Sequence, residues 1–163
     1  MLILKWLAML LLVLVAAALA AGQSGMLQGR PPDDLGVHAG KLKAPSMTEN
    51  SVSSQAGLYP DHPQRLYATT LPLALHGDGP ATIAKLKDLV QAMPGAKLVK
   101  SEPDYLYAQY TTAWMKFVDD AEFWYDPEAN VIQVRSASRL GQRDMGVNRQ
   151  RVEAVRKALA DSP

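Results

Sequence analysis

The stretch Val131-Ile-Gln-Val-Arg-Ser-Ala-Ser-Arg-Leu-Gly-Gln-Arg-Asp-Met-Gly-Val-Asn-Arg-Gln-Arg-Val-Glu153 decides the fold. Val131 to Arg139 reads as a strand. Gly141 and Gly146 flank a loop. Asn148 is a good N-cap for the final helix, with Val147 and Val152 at the two positions of a hydrophobic staple. Val152, Val155 and Leu159 then form that helix's apolar stripe. Seven cations from Arg135 to Lys157 crowd the same region.

Working outward, Asp126-Pro-Glu-Ala-Asn130 closes a hairpin into this strand. Its partner is Trp114 to Tyr125, with a bend allowed for. Tyr105 to Thr112 is aromatic and β-branched, hence a further strand. Lys97 to Glu102 is a short one, followed by a turn at Pro103-Asp104. Gly77-Asp-Gly-Pro80 announces a helix, with Asp78 or Gly79 as cap and Pro80 in its first turn. Ile83, Leu86, Val90 and Met93 share one face of it, with Leu89 alongside, and Pro94-Gly95 ends it. Arg65 to Leu71 has strand composition. The pattern predicts an α+β domain: an antiparallel sheet of about four to five strands with two amphipathic helices on one face. The opposite face is solvated, covered by the loop 35–60, or used for binding.

Residues 1–21 are a signal peptide or membrane anchor. Lys5 is the positive region, Trp6 to Ala21 is unbroken apolar sequence, and Ala18-Leu-Ala20 fits the small-x-small cleavage pattern. The apolar run is somewhat shorter than the roughly 20 residues of a spanning helix, which favours cleavage over retention. Both readings put the domain outside the cytoplasmic membrane, periplasmic or anchored to the inner membrane facing the periplasm. If uncleaved, residues 1–21 make that membrane a partner. Residues 22–34, rich in Gly and Pro, read as a tether, and 35–163 as a single domain. Loss of Lys5 lowers the 17 Lys+Arg by one, level with the 16 Asp+Glu. A neutral exported domain has no basic field for nucleic acid. The absence of cysteine excludes thiol chemistry and thiolate metal sites.

Charge is segregated. Asp119, Asp120, Glu122, Asp126 and Glu128 occupy 117–130 without a cation. Arg135, Arg139, Arg143, Arg149, Arg151, Arg156 and Lys157 follow, against Asp144 and Glu153. In a hairpin the acidic strand faces the basic one, and cross-strand ion pairs of about 0.2–1 kcal/mol each would set the register. A second reading is a binding site. Arg149 and Arg151 sit in a helix's first turn, where positive charge costs roughly 0.3–1 kcal/mol against the dipole. A carboxylate such as Asp119 or Asp120, or a bound anion, would relieve that cost. The candidate ligand-binding set is therefore Asp119, Asp120, Glu122, Arg135, Ser136, Ser138, Arg139, Asn148 and Arg149.

No metal or cofactor is expected. Only Asp120 and Glu122 of the acidic strand share a face, too few carboxylates for calcium. His38, His62 and His76 lie scattered in loops. There is no G-x-S-x-G, and Ser51, Ser53 and Ser54 read as loop residues. Tyr105 and Tyr107 share a strand face, with Tyr110 opposite. The expected function is binding of a partner, an envelope protein or a small anionic ligand through the Asp/Arg cluster. The alternative is a hydrolase using Asp119 or Asp120 with neighbouring arginines.

Several stretches resemble a known family, the domain-of-unknown-function family numbered 1499 of bacteria and plastids. They are Phe117-Val-Asp-Asp-Ala-Glu-Phe123, Arg135-Ser-Ala-Ser-Arg139, Gly146-Val-Asn-Arg149 and Arg151-Val-Glu153. Leu35-Gly-Val37, Gly40-Lys-Leu42 and Asn50-Ser-Val-Ser-Ser-Gln-Ala56 resemble its N-terminal motif. The resemblance covers most of the chain from about residue 35. Family members commonly carry two cysteines where this chain has Ser46 and Ser51, one residue closer together. The resemblance implies a domain and a location, and no reaction; a role for the thiol pair is unavailable to this chain.

Overall fold

The computed structural model describes residues 1–162. Helix α1 (Leu2–Gln23) precedes a domain of five strands and three helices: β1 (Ser51–Ser53), α2 (Arg65–Ala68), α3 (Gly79–Gln91), β2 (Ala96–Ser101), β3 (Tyr105–Thr111), β4 (Val118–Asp126), β5 (Val131–Ser138) and α4 (Val147–Asp161). The strands form one antiparallel sheet in the order β1-β5-β4-β3-β2. This is the α+β architecture that the sequence pattern predicts.

The hairpin register places Phe123 opposite both Leu106 and Val134. These side chains point to one face, where Ile83, Leu86 and Val90 of α3 and Val152, Val155 and Leu159 of α4 close the main core. Phe123, Leu106 and Ile132 have no solvent exposure. Each such side chain contributes about 1.5–3 kcal/mol by leaving water. Asp78 caps α3, its Oδ1 accepting the Ala81 N–H at 2.7 Å. Gly79 lies flat on the Tyr125 ring; a Cβ there would come within 2.3 Å of it. Space, rather than conformational freedom, demands glycine at that position.

The second face is covered. Leu42 packs against Tyr105 and Trp124, with Val37 and Tyr107 at the margin. The segment from Gly36 to Pro45 is an irregular strap pinned by hydrogen bonds. Gly36 N–H donates to Glu122 at 2.7 Å, and Ala44 C=O accepts from Arg135 Nε at 3.3 Å. Leu42 N–H donates to Gln55 Oε1, whose Nε2 returns a bond to Gly40 C=O.

Four elements differ from the sequence reading. Arg65 to Leu71 is not a strand. Its start is the short helix α2, held by Ala68 N–H to Gln64 C=O and Thr69 N–H to Arg65 C=O, and Pro72 lacks the donor a continuing ladder needs. The place beside β5 is taken instead by Ser51–Ser53, read from sequence as loop. All three residues are buried, and the two hydroxyls that disguise the strand are engaged locally: Ser51 Oγ accepts from Ser46 N–H and Ser53 Oγ from Gln55 N–H. β4 starts at Val118, and 113–117 is a connection turned by Lys116 at φ 56°. Asn148 is not the N-cap of α4. Gly146, left-handed at φ 80°, holds that position, and Asp144 accepts the N–H groups of Gly146 and Asn148.

Helix α1 has an 18-residue window of high hydropathy that is wholly uncovered by the domain. It is long and apolar enough for a signal or an anchor. Residues just beyond the apolar run touch the domain at two points. Gly22 is buried against the backbone of Met115, and Gly29 lies against Arg139 Cβ and Leu140.

Candidate functional site

Because alternate residues of a strand face opposite ways, Asp119 and Asp120 separate to the two sides of the sheet. Eight of the nine candidate residues therefore form two groups rather than one, and Arg149 stands apart.

The strap-side group is Asp120, Glu122, Arg135 and Arg139. Arg139 grips Asp120 with its fork: Nη2 to Oδ1 at 2.7 Å and Nε to Oδ2 at 2.8 Å. Tyr107 OH donates to the same Oδ1 at 2.5 Å and accepts from Gln109 at 2.9 Å. The bond from Asp120 holds the Arg139 guanidinium above its ordinary pKa. Glu122 pairs in register with Arg135, yet the ion pair is loose at 3.7 Å, beyond hydrogen-bond reach. Glu122 Oε1 accepts from Tyr105 OH and Gly36 N–H, both at 2.7 Å, while buried Oε2 has no hydrogen-bond partner. Burial pushes the Glu122 carboxyl up and the Arg135 guanidinium down.

The helix-side group is Asp119, Ser136, Ser138 and Asn148, centred on Asn148 in the first turn of α4. Asn148 Oδ1 accepts from Ser136 Oγ at 2.6 Å, and its Nδ2 faces Asn50 C=O, Ser138 Oγ and Asp144 Oδ2. Arg151 completes the mesh, donating to Ser136 Oγ, Asn148 Oδ1 and, at 2.6 Å, to Asp119. Its guanidinium stacks 4.4 Å above the Tyr110 ring, and burial pushes that phenol up to about 12. Asp144 receives Tyr67 OH at 2.6 Å. Burial pushes its carboxyl up, but the bonds from Tyr67, Asn148 and Gly146 outweigh this and hold it below the ordinary range.

Arg149 belongs to neither group. Its guanidinium donates to the carbonyls of Tyr67 and Thr69, tying α4 to the chain after α2. The carboxylate relief expected for the first-turn arginines falls to Arg151 alone. The sequence reading names Arg151 beside Arg149 for its cost against the helix dipole but leaves it outside the candidate set. The signal that finds it is spacing: Arg151 stands three residues after Asn148, hence on the same helix face.

Two clefts open beside the helix-side group. One of about 730 Å³ is walled by Met93, Tyr110, Val147 and Ala154, with Arg151 and Lys116 as its cations. A smaller one of about 270 Å³ is reached by Asp119 and Ser138 among Phe117, Leu140 and Met145. Neither is lined by Asp120, Glu122, Arg135 or Arg139. Among the described residues no group of three or more His, Asp or Glu side chains has the geometry to hold a metal ion. Ser46 and Ser51 are neighbours, with Ser46 N–H donating to Ser51 Oγ at 2.8 Å. A hydrogen bond stands where the family resemblance has its cysteine pair.

A family model described as a protein of unknown function (DUF1499) matches residues 41–159. No curated protein and no solved structure matches the chain.

Proposed function

We propose that this chain, which belongs to the DUF1499 family, is an exported domain held at the outer face of the cytoplasmic membrane by α1, whose 22 residues exceed the apolar run Trp6 to Ala21 and reach spanning length, and that it binds a small amphipathic anion in the cleft beside Arg151. The observation that carries the reading is Arg151 itself. Asp119, Ser136 and Asn148 fix its guanidinium in the mesh, and the same side chain lines the cleft of about 730 Å³. A cation immobilised this way meets an anion without losing rotamer freedom. Lys116, on the same cleft, makes no ion pair among the described residues. Apolar walls from Met93, Val147 and Ala154 suit a ligand with a hydrocarbon part.

Binding is favoured over hydrolysis by the state of the carboxylates. Asp120 is 1% exposed and both its oxygens are taken by Arg139. Asp119 is 4% exposed and paired with Arg151 at 2.6 Å. A general base needs a free lone pair within reach of its substrate, which Asp120 lacks, while Asp119 already serves as the counter-ion of Arg151. The Asp/Arg cluster is thus a rigid frame that aims one arginine.

Native mass spectrometry of the freshly purified full chain tests the binding. A retained anionic adduct is expected, lost when Ala154→Trp fills the cleft. A bare wild type, with no thermal shift on addition of alkyl carboxylates or alkyl phosphates, would sink the reading. A reporter active only outside the cytoplasm, fused to the C-terminus, should be active; silence there refutes export.

A further inference from the structure

We propose that the end of the sheet carrying loops 112–117 and 139–147 rests on the surface of the bilayer that holds α1. Trp114, Phe117, Leu140 and Met145 would enter the headgroup region, with Lys116 among the phosphates. This rests on the anchor half of the reading above; of the side chains named here, Lys116 is shared with the cleft beside Arg151.

The register puts both loops at one end of the sheet, since Tyr110, Asp119 and Ser138 are laterally paired. The hairpin turn 127–130 is at the other end. The nine residues of β4 separate them by roughly 30 Å. The loop end is unusually apolar for a surface. Trp114 is 73% exposed and Met145 90%, with Phe117, Leu140 and Val147 also open. Met145 is held outward by a left-handed turn, φ 54° followed by 80° at Gly146.

The same end receives α1. Gly22 is packed so closely on Met115 that a Cβ would lie 2.8 Å from its carbonyl oxygen. Gln23 Nε2 donates to Trp114 C=O at 3.0 Å. The chain then crosses to Leu140 at Gly29. A helix of 22 residues is about 33 Å long, close to the roughly 30 Å hydrocarbon thickness. Its last turn therefore leaves the bilayer beside Trp114, the residue type that settles at membrane interfaces. The acidic residues near this end are engaged: Asp119 by Arg151, Glu49 by Arg143 and Asp144 by Tyr67. Lys116 is left to face anionic headgroups.

The chain has no cysteine, so one introduced thiol carries one spin label. Met145→Cys and Ala129→Cys, labelled in the full chain, are compared in vesicles of phosphatidylcholine and phosphatidylglycerol. The readout is collision with oxygen, which partitions into lipid, against collision with a nickel chelate, which does not. The oxygen-to-nickel ratio should be several-fold higher at 145 than at 129. Trp114→Ser with Phe117→Ser should return 145 to the value at 129 while the chain stays in the vesicles after an alkaline wash. Equal ratios at 145 and 129 in a chain that survives the wash overturn the seat and leave the anchor standing. An unchanged ratio at 145 in the double serine variant overturns the assigned side chains. Release by the wash refutes the anchor and the seat with it. A second measurement needs no label: the emission difference between Trp6→Phe and Trp6→Phe/Trp114→Phe isolates Trp114. Brominated lipid should quench it, and an unquenched Trp114 contradicts the seat.

Discussion

The two faces of the sheet are equally dry and differently built. On the helix side Phe123, Leu106 and Ile132 meet the apolar stripes of α3 and α4. On the strap side Asp120, Glu122 and Arg135 are 1%, 0% and 3% exposed, as buried as any core residue. The covers match their faces. A helix has already used its backbone N–H and C=O groups internally, so its flank offers side chains alone. The strap is irregular, and Gly36 N–H and Ala44 C=O are free to satisfy Glu122 and Arg135. Where the helix side buries charge, at Asp119, the partner is a side chain of α4, Arg151, rather than backbone.

The sharpest way to break the comparison is to remove one partner on each side. Arg139→Met strands Asp120 in a dry site and should cost about 3–5 kcal/mol in denaturant unfolding. Adding Asp120→Leu should restore most of it, because two apolar residues replace a complete pair. Phe123→Ala should cost a similar 3–5 kcal/mol, with no second substitution that rescues it so simply. Equal behaviour of the two faces would dissolve the distinction.

The strap's own contribution comes next. Leu42→Ala should cost about 2–4 kcal/mol and speed amide exchange at Gly36. A cost below about 0.5 kcal/mol would place the strap outside the cooperative unit.

The faces also differ in pH response. Asp144, held below the ordinary range, gives stability that is present above its unfolded value near 3.8 and lost as pH falls through its folded value. Asp144→Asn should flatten that acid limb and cost about 1–2 kcal/mol at neutral pH. Glu122, pushed up, acts oppositely: stability falls as pH rises from 4.5 through its raised value. Glu122→Gln should remove that fall. Urea midpoints measured across the acid range test both signs.

The smallest effect belongs to an exposed pair. Arg143 and Glu49 lie at 3.0 Å, with the arginine side chain 76% exposed. Arg143→Ala should change stability by about 0–1 kcal/mol and vanish into error at high salt.

The sequence by itself determined the α+β class, both long amphipathic helices, the β4–β5 hairpin and the apolar start. Each is written in local periodicity: Ile83, Leu86 and Val90 at helical spacing, Asp126 to Asn130 as a turn, Trp6 to Ala21 as one apolar run. It also placed Asp120 and Glu122 on one strand face, because a strand alternates. Tertiary structure decided what local pattern cannot express. Ser51–Ser53 is a strand because β5 offers an open edge and nearby N–H groups engage its hydroxyls. Asn148 became a buried hub because Asp144, four residues earlier, took over the capping. Arg149 and Arg151 are alike in sequence, but α4's rotation aims one at two carbonyls and the other at Asp119 beside a cleft. Which face of a helix meets which strand is a long-range packing outcome, and partner choice for a charged side chain follows from it.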